Sequence, residues 1–509
     1  MYALRIAEAI GTTVECIAVI FIAGVRQVRE GVAILACAMC YSFFPLLKKK
    51  SPAMSEKDLV SPMMQQLSMY IATALHNPVP DRVCERMKVH IVDTFAAMIS
   101  GSRLLPGQRA IEYVKTLGGN PHAGVIGTKI VTSAVNAALA NGMFGHADET
   151  DDTHPPSLTH PGTSVVPAAM AIGEMRGLTG LQVLRAVVLG YDVCSRLLLS
   201  LRPMPFLRSG HHAGAFGQAF GAAAAAGALL NLDVRQVRYM LSYTAQQAAG
   251  LYTMFRDPEH IEKAYGMGGM PAHNGTQAAL MVESGFTGVD DVFSGERDFF
   301  FTFSPEADRE ALVRGLGQDY EVMRGGIKRW PVGGPIQGPL HVLRDLMQEQ
   351  RFKADDVEKL TARMPDKELE IVNNRDMPDI SVQHLLAVML IDGDVTFESA
   401  HAIDRMRDPK VLKVRECIEA VGDSTLTDAE RRWRCVMQVR LKDGRTFEHQ
   451  TMAAKGSYEN PLSRDEEQEK ALDLVVPVLG RARSEELLAE LWNFEQIADV
   501  SSLRRLYQR

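Results

Sequence analysis

The chain has 509 residues, of which 46% are hydrophobic and 23% are charged, and its formal net charge is -7. A chain of this length is sufficient for about two or three domains with sizeable cores. The mild negative charge argues against nucleic acid as the main partner, because no basic block is present to displace counterions. Seven scattered cysteines form no disulfide framework and suit a reducing compartment, so we expect a cytoplasmic protein.

The first 53 residues differ in composition from the rest of the chain. Two apolar stretches, residues 10–25 and 31–47, are followed by lysines at 48–50. The second stretch is just long enough to cross a thin bilayer, and the lysines fit the positive-inside pattern. The alternative is a translation start at Met54, where the sequence begins to look like that of a soluble enzyme. We favour this start, and expect membrane contact only if residues 1–53 belong to the protein.

From residue 54 to about residue 324 the pattern is almost entirely helical. Capping and proline signals predict four helix starts, at Pro80, Ser133, Thr179 and Asp233. A fifth helix is predicted over residues 304–315, with Ser304 as its cap and Pro305 at its first position.

An alanine-rich stretch, residues 216–230, has small residues on every face and is expected to be a buried packing helix. His211 and His212 precede it, at a helix N-terminus where exposed N–H groups favour an anion.

After about residue 325 the pattern becomes mixed. Residues 359–365 alternate as a strand does, and residues 433–452 predict a hairpin that turns at Asp443-Gly444. Helices are expected over 338–350, 381–393 and 408–422, and again after residue 460 with a capping box at Ser463 and Glu466. The sequence therefore predicts a mainly α protein with an α+β insertion: a helical domain over 54–324, completed by 460–509, and a smaller α+β domain over 325–459.

The stretch GHADETDDTHPPSLTHPG, residues 145–162, combines four acidic residues with three histidines. A metal site is one interpretation, although His146 and His154 are not at helical spacing and prolines follow. A second is a shaped turn, in which Asp148, Asp151 and Asp152 only cap the loop. A third is an acid/base site in which the loop presents His160 to a small polyanion. The residue pattern alone leaves all three open.

Several segments resemble, in the same order, those of the MmgE/PrpD family. They are residues 141–174, 210–233, 268–288, 327–335, 381–393 and 460–471. The family includes 2-methylcitrate dehydratase, cis-aconitate decarboxylase and iminodisuccinate epimerase. The resemblance implies a helical domain with an α+β lid domain, a homodimer, and chemistry with no metal and no organic cofactor.

The resemblance also implies roles for individual residues. The catalytic residues are expected to be Glu149, His160, His211, Lys263 and Lys328. Glu149 stands where the family has an aspartate. The substrate-binding residues are expected to be Thr153, His212 and His384.

These residue types suit proton abstraction next to a carboxylate. The resulting dianion-like enolate needs cations close by, which the two lysines can supply. Histidines exchange protons near neutral pH, and Glu149 is expected to orient one of them.

Two departures from the family pattern bear on the reaction. Where cis-aconitate decarboxylases carry a histidine after the lid lysine this chain has Gly333, and their lid tyrosine falls on His384. We therefore expect a lyase acting on a small di- or tricarboxylate, most similar to 2-methylcitrate dehydratase. An epimerase or isomerase and a cis-aconitate-type decarboxylase are the alternatives within the family. A metal-dependent hydrolase and an inactive carboxylate-binding homologue are the alternatives outside this chemistry.

Overall fold

The computed structural model describes residues 60–428 and 430–509. The expectation about residues 1–53 lies outside these ranges. Within them the fold is mainly helical, with one four-stranded sheet and one two-stranded ribbon, so the predicted fold class is confirmed. None of the helices described there combines the length and the apolar character that a membrane crossing requires.

The N-terminal half of the described residues contains twelve α-helices. They are α1 (Pro62–Thr73), α2 (Asp81–Gly101), α3 (Leu105–Leu117), α4 (Ala134–Gly145), α5 (Gly162–Arg176), α6 (Gly180–Leu201), α7 (Pro203–Arg208), α8 (Ala213–Leu229), α9 (Val234–Gln247), α10 (Ile261–Ala264), α11 (Met270–Glu283) and α12 (Phe299–Phe303). A π-helical turn, Tyr265–Gly269, joins α10 to α11. The ribbon between α3 and α4 consists of β1 (Ala123–Gly124) and β2 (Val131–Thr132).

Side-chain capping explains where several of these helices begin. The Ser133 hydroxyl accepts a hydrogen bond from the Asn136 amide at the start of α4. Thr179 and Asp233 form capping boxes at α6 and α9, and α2 begins directly after Pro80. All four predicted helix starts are confirmed. Ser133, Thr179 and Asp233 accept hydrogen bonds from amide groups that the first helical turn leaves unpaired, whereas Pro80 precedes α2 without a side-chain hydrogen bond.

The predicted helix over residues 304–315 is wrong. Helix α12 ends at Phe303, and only the short 3-10 turn Arg309–Leu312 follows. The Ser304 hydroxyl is buried and donates to the Leu201 carbonyl oxygen, so it is not free to cap a helix. The cap in this region is Asp298, which accepts from the Phe301 amide at the start of α12.

Helix α8 is buried along its whole length, as its alanine-rich sequence predicts. It packs against α6, α11 and α5. A Cβ atom at Gly221 would lie 2.5 Å from the Gly190 carbonyl oxygen of α6, so the close approach of these two helices requires a glycine.

The sheet lies in the C-terminal half and has the strand order β4-β3-β5-β6. Its strands are β3 (Val357–Met364), β4 (Ile418–Gly422), β5 (Cys435–Leu441) and β6 (Thr446–Thr451). Strand β3 pairs with β4 in parallel and with β5 antiparallel, and β5 pairs with β6 antiparallel. The predicted hairpin is confirmed, with Gly444 at a φ of +91° in its turn.

Seven helices accompany the sheet or follow it. They are α13 (Gln337–Gln350), α14 (Asp366–Val372), α15 (Val382–Asp392), α16 (Phe397–His401), α17 (Pro409–Arg415), α18 (Arg464–Leu479) and α19 (Arg481–Trp492). A terminal turn of helix, Arg504–Tyr507, closes the chain. The prediction of a helix over 408–422 is correct for its first half and wrong for its second. The observed helix α17 ends at Arg415, and Ile418–Gly422 is strand β4. There the backbone pairs with the edge of β3.

The buried apolar side chains of the described residues form two clusters. The first draws on residues 60–322, on Phe397 and on residues 471–507, and the second on residues 330–441. The C-terminal helices α18 and α19 thus contribute Leu474 and Leu488 to the first core. We retain the domain boundaries given above, 54–324 with 460–509 and 325–459, as a proposal.

Candidate active site

The acidic loop that follows α4 is buried and held from several sides. Asp152 accepts hydrogen bonds from the Gly162 amide at 3.1 Å and from the Tyr191 hydroxyl at 2.7 Å, and its Oδ2 lies 2.7 Å from His90 Nδ1. Thr153 exchanges two backbone hydrogen bonds with Gly326, at 2.9 and 2.7 Å. The predicted substrate-binding residue Thr153 therefore lies at the point where this loop meets the segment leading to Lys328.

Asp151 and His160 form a carboxylate–imidazole pair within this loop. His160 Nδ1 lies 2.8 Å from Asp151 Oδ2. Burial would raise the pKa of Asp151, but His146, Lys328 and His160 hold that pKa well below its usual range. The ionised carboxylate can only accept, so Nδ1 of His160 carries the hydrogen and Nε2 is the nitrogen available for proton exchange. Glu149 was predicted to orient a histidine, but the carboxylate that contacts His160 is that of Asp151.

Lys263 and Lys328 converge on Glu149. Lys263 makes an ion pair with Glu149 Oε1, and Lys328 Nζ lies 3.7 Å from Glu149 Oε2 and 3.3 Å from Asp151 Oδ1. Burial would raise the pKa of Glu149, but the two ammonium groups outweigh burial and lower it. Burial would lower the pKa of Lys328, but Asp151 and Glu149 raise it, so this buried lysine stays charged. Glu149, His160, Lys263 and Lys328 are thus brought together.

His401 reaches the same loop from α16. Its Nε2 lies 3.0 Å from Asp148 Oδ2, and Asp148 also accepts from the amide and the hydroxyl of Thr150, at 3.0 and 2.7 Å. Burial works against the charged imidazole, but the close carboxylate of Asp148 raises the pKa of His401 to about 9. Asp148 therefore binds a cation and does more than shape the turn.

The two adjacent histidines before α8 lie in different surroundings. His212 is buried and caps α8, accepting at Nδ1 from the Ala215 amide at 3.3 Å. Burial, together with the positive charges of His160, His146 and Lys263, lowers the pKa of His212 well below its usual value. Its ring is therefore a neutral imidazole beside the group of charged residues.

His211 instead belongs to an aromatic cluster. Its ring stacks on Phe206 at 4.8 Å between centroids and meets Phe216 and Phe303 edge-on. Burial is the one cause that lowers the pKa of His211, and no charged residue of the acidic loop acts on it. The structure brings His212, and not His211, together with the other predicted site residues.

Neither of the two positions that depart from the family pattern places a side-chain hydrogen bond or ion pair on the charged group. His384 is buried in α15, and its pKa is lowered to about 4 by burial and by Arg415 and Arg405. Neither of its ring nitrogens has a hydrogen-bond partner among the described residues. Gly333 donates its amide hydrogen to the Asp379 carbonyl oxygen at 2.9 Å.

Four residues near the site received no functional role from the sequence. His146 Nδ1 lies 3.1 Å from Asp151 Oδ2, and the His146 ring lies 5.4 Å from that of His260. His401 and Asp379 come from the C-terminal half. His260, His401 and Asp379 come from segments distant in sequence, and the fold brings them near the acidic loop. No motif or residue spacing in the sequence connects them with that loop.

Two groups of side chains have their ligand atoms close enough together for a metal ion. They are His146 with Asp151 and His160, and His146 with Glu149 and His260, and within each group the atoms lie within 4.8 Å of one another. Lys328 and Lys263 contact the same carboxylates, however. Two ammonium groups repel a divalent cation and already neutralise its ligands, so the donor set suits a metal poorly.

Comparison with known families places this arrangement in a known class. The chain matches the MmgE/PrpD N-terminal domain over residues 65–311 and the MmgE/PrpD C-terminal domain over residues 330–494. The chain belongs to the MmgE/PrpD family.

Curated relatives extend over nearly the whole chain. Cis-aconitate decarboxylase of Homo sapiens is 26% identical over 471 residues, which cover 87% of this chain and 95% of that protein. Cis-aconitate decarboxylase of Mus musculus is 25% identical over 470 residues, 87% of this chain and 94% of that protein. Cis-aconitate decarboxylase of Aspergillus terreus is 22% identical over 487 residues, 89% of this chain and 97% of that protein.

Proposed function

We propose that the protein is a lyase that acts on a small di- or tricarboxylate by proton transfer, with decarboxylation of a cis-aconitate-type substrate as the leading reaction. The observation that carries this proposal is the pair of buried lysines beside the Asp151–His160 pair. The sequence alone favoured dehydration. We now favour decarboxylation, because the curated relatives of this chain are cis-aconitate decarboxylases.

In the proposed mechanism the lysines bind carboxylate groups. When substrate binds, Lys263 and Lys328 release their ion pairs with Glu149 and Asp151 and pair with the substrate carboxylates. Their positive charges then stabilise the anion that forms during the reaction. His160 moves a proton through Nε2 while Asp151 keeps the ring in one tautomer. His212, a neutral imidazole, is our candidate for the second histidine in place of His211.

Dehydration of a 2-methylcitrate-type substrate is the second candidate. Gly333 offers no side chain, and His384 lies beside Arg405 and Arg415. These are the positions where the resemblance implies a histidine and a tyrosine in the decarboxylases. An epimerase would remove a proton with the same base and return it to the other face.

The test is a product assay on the full chain with cis-aconitate and with 2-methylcitrate in D₂O, followed by NMR. We expect release of CO₂ from cis-aconitate, and a loss of about 10²–10⁴-fold in kcat for His160→Ala, which removes a group that transfers protons. The control is His449→Ala, a partly exposed histidine on β6, which should retain activity.

Other products identify the other reactions. Water loss from 2-methylcitrate identifies the dehydratase, and deuterium exchange without net product identifies an epimerase. Equal rates for wild type and His160→Ala contradict the proposed base, and inactivation by EDTA supports the metal-dependent hydrolase.

The remaining expectations from the sequence are proposals too. We propose a homodimer in the cytoplasm, and sedimentation analysis of the purified chain tests the dimer.

A further inference from the structure

Asp379 is a buried acidic residue of the C-terminal half. It lies in the single 3-10 turn Pro378–Ile380, between α14 and α15, and its exposure is 4%. Its carbonyl oxygen accepts from the Gly333 amide at 2.9 Å, and its turn packs against α16, which carries His401. The turn is therefore fixed both to the segment that follows Lys328 and to the helix that reaches Asp148.

The other carboxylates around the lysines each have a cationic partner. Asp148 pairs with His401, Glu149 with Lys263, and Asp151 with Lys328. The carboxylate of Asp379, in contrast, makes no hydrogen bond or ion pair to any side chain in residues 60–428 and 430–509. A buried carboxyl group without a partner favours its protonated form.

The charged groups that act on Asp379 come from three elements. They are His401 of α16, Asp148 and Glu149 of the acidic loop, and Lys263 of α10. Burial raises the pKa of Asp379 to about 6, His401 and Lys263 lower it, and Glu149 and Asp148 raise it further. A polyanion bound to Lys263 and Lys328 adds negative charge beside this carboxyl group, so binding should drive the uptake of a proton.

Gly333 lies against the turn that carries Asp379. A Cβ atom at Gly333 would lie 3.4 Å from Ile380 Cγ2 and 3.8 Å from the Asp379 carbonyl oxygen, which are ordinary contacts. Neither Gly333 nor His384 brings a proton donor to the acidic loop. The proton that replaces a departing CO₂ must therefore come from a group other than these two.

We propose that Asp379, protonated when a polyanionic substrate binds, is the acid that delivers this proton. The C–C bond to the departing carboxylate breaks, and its electron pair passes to a substrate carbon, directly or through the double bond. The O–H bond of Asp379 breaks, the new C–H bond forms, and CO₂ leaves. Asp379 remains as a carboxylate and regains a proton from solvent. This inference rests on the proposed function.

The experiment compares the full-length wild type with Asp379→Asn, Asp379→Glu and the control Asp376→Asn. Asp376 lies on the same segment, is exposed, and undergoes the same chemical exchange. Initial rates with cis-aconitate are measured between about pH 5.5 and 8. Proton uptake on binding the unreactive propane-1,2,3-tricarboxylate is measured by calorimetry in two buffers of different ionisation enthalpy.

We expect Asp379→Asn to lower kcat by about 10²–10³-fold with little change in KM, because the amide cannot donate an acidic proton. It should also abolish proton uptake on binding. Asp379→Glu should recover part of the rate, and Asp376→Asn should match wild type. Circular dichroism confirms that each variant is folded.

The outcomes separate this inference from the function on which it rests. A kcat of Asp379→Asn within about threefold of wild type, or unchanged proton uptake, overturns the role of Asp379 and leaves the lyase intact. No turnover by the wild type with either substrate overturns the proposed function and this inference with it.

Discussion

Adjacent residues can differ completely in surroundings, as His211 and His212 do. His211 lies among Phe206, Phe216 and Phe303, whereas the neutral ring of His212 lies beside the charged residues of the loop. The sequence placed both before the alanine-rich helix but could not distinguish them, because the distinction depends on which ring turns inwards. Side-chain direction at a helix cap is a tertiary property.

Paired substitutions test this difference. In His212→Asn the amide oxygen can still cap α8, so we expect folding to be retained while kcat falls by about 10²-fold or more. His211→Asn should keep kcat within about threefold of wild type, since it only disturbs aromatic packing. Steady-state kinetics and thermal unfolding of both variants provide the measurement. The reverse order of activities would restore His211 as the catalytic histidine.

At the scale of elements, α2 and α18 hold the acidic loop from behind. Lys470 of α18 makes an ion pair with Asp93 of α2 and donates to the Thr150 carbonyl oxygen at 3.1 Å. Burial raises the pKa of Asp93 to about 6, although Lys470 opposes the shift. Glu467 is buried nearby with no hydrogen-bond partner among the described residues, and burial with the charge of Asp93 raises its pKa well above the usual value.

Removal of the buried ammonium should therefore destabilise the fold. We expect Lys470→Met to lower the free energy of unfolding by about 3–5 kcal/mol, because Asp93 is left as an uncompensated buried charge. The double variant Asp93→Asn with Lys470→Met should lose less than the two single losses combined. Urea denaturation gives the values, and the more exposed Lys455→Met is the control. Additive losses would show that the pair is not coupled.

At the scale of the whole molecule, local sequence signals predicted most helix starts and the change to a mixed C-terminal half. They did not predict which distant residues come together in the fold. Helix starts at Ser133 and Thr179 followed from capping, and the mixed C-terminal half followed from strand alternation and the turn at Gly444. The parallel pairing of β4 with β3 was not predicted. The residues of β4 also suit a helix, and they form a strand because the edge of β3 is available for pairing. His401 and Asp379 were missed for the same reason, since nothing near them in sequence indicates where they meet the acidic loop.

The contact between the two family domains should make stability depend on pH. His401 belongs to the C-terminal family domain and Asp148 to the N-terminal one. The pKa of His401 is raised, to about 9, so its stabilising effect is complete below about pH 6.5 and is lost as the pH rises through about 9. Between pH 7 and 10 wild type should lose roughly 2–4 kcal/mol more than His401→Gln does.

Urea titrations at several pH values measure this difference, and His449→Gln is the control. Equal pH dependence of wild type and His401→Gln would show that the Asp148–His401 pair does not stabilise the contact.

The paired backbone hydrogen bonds between Thr153 and Gly326 have a consequence for how this enzyme can diversify. Backbone hydrogen bonds do not depend on which side chains the residues carry. Substitutions at nearby positions therefore leave the acidic loop aligned with the segment that leads to Lys328. Side chains around the acidic loop, such as that of residue 149, can therefore be exchanged one at a time without a new scaffold.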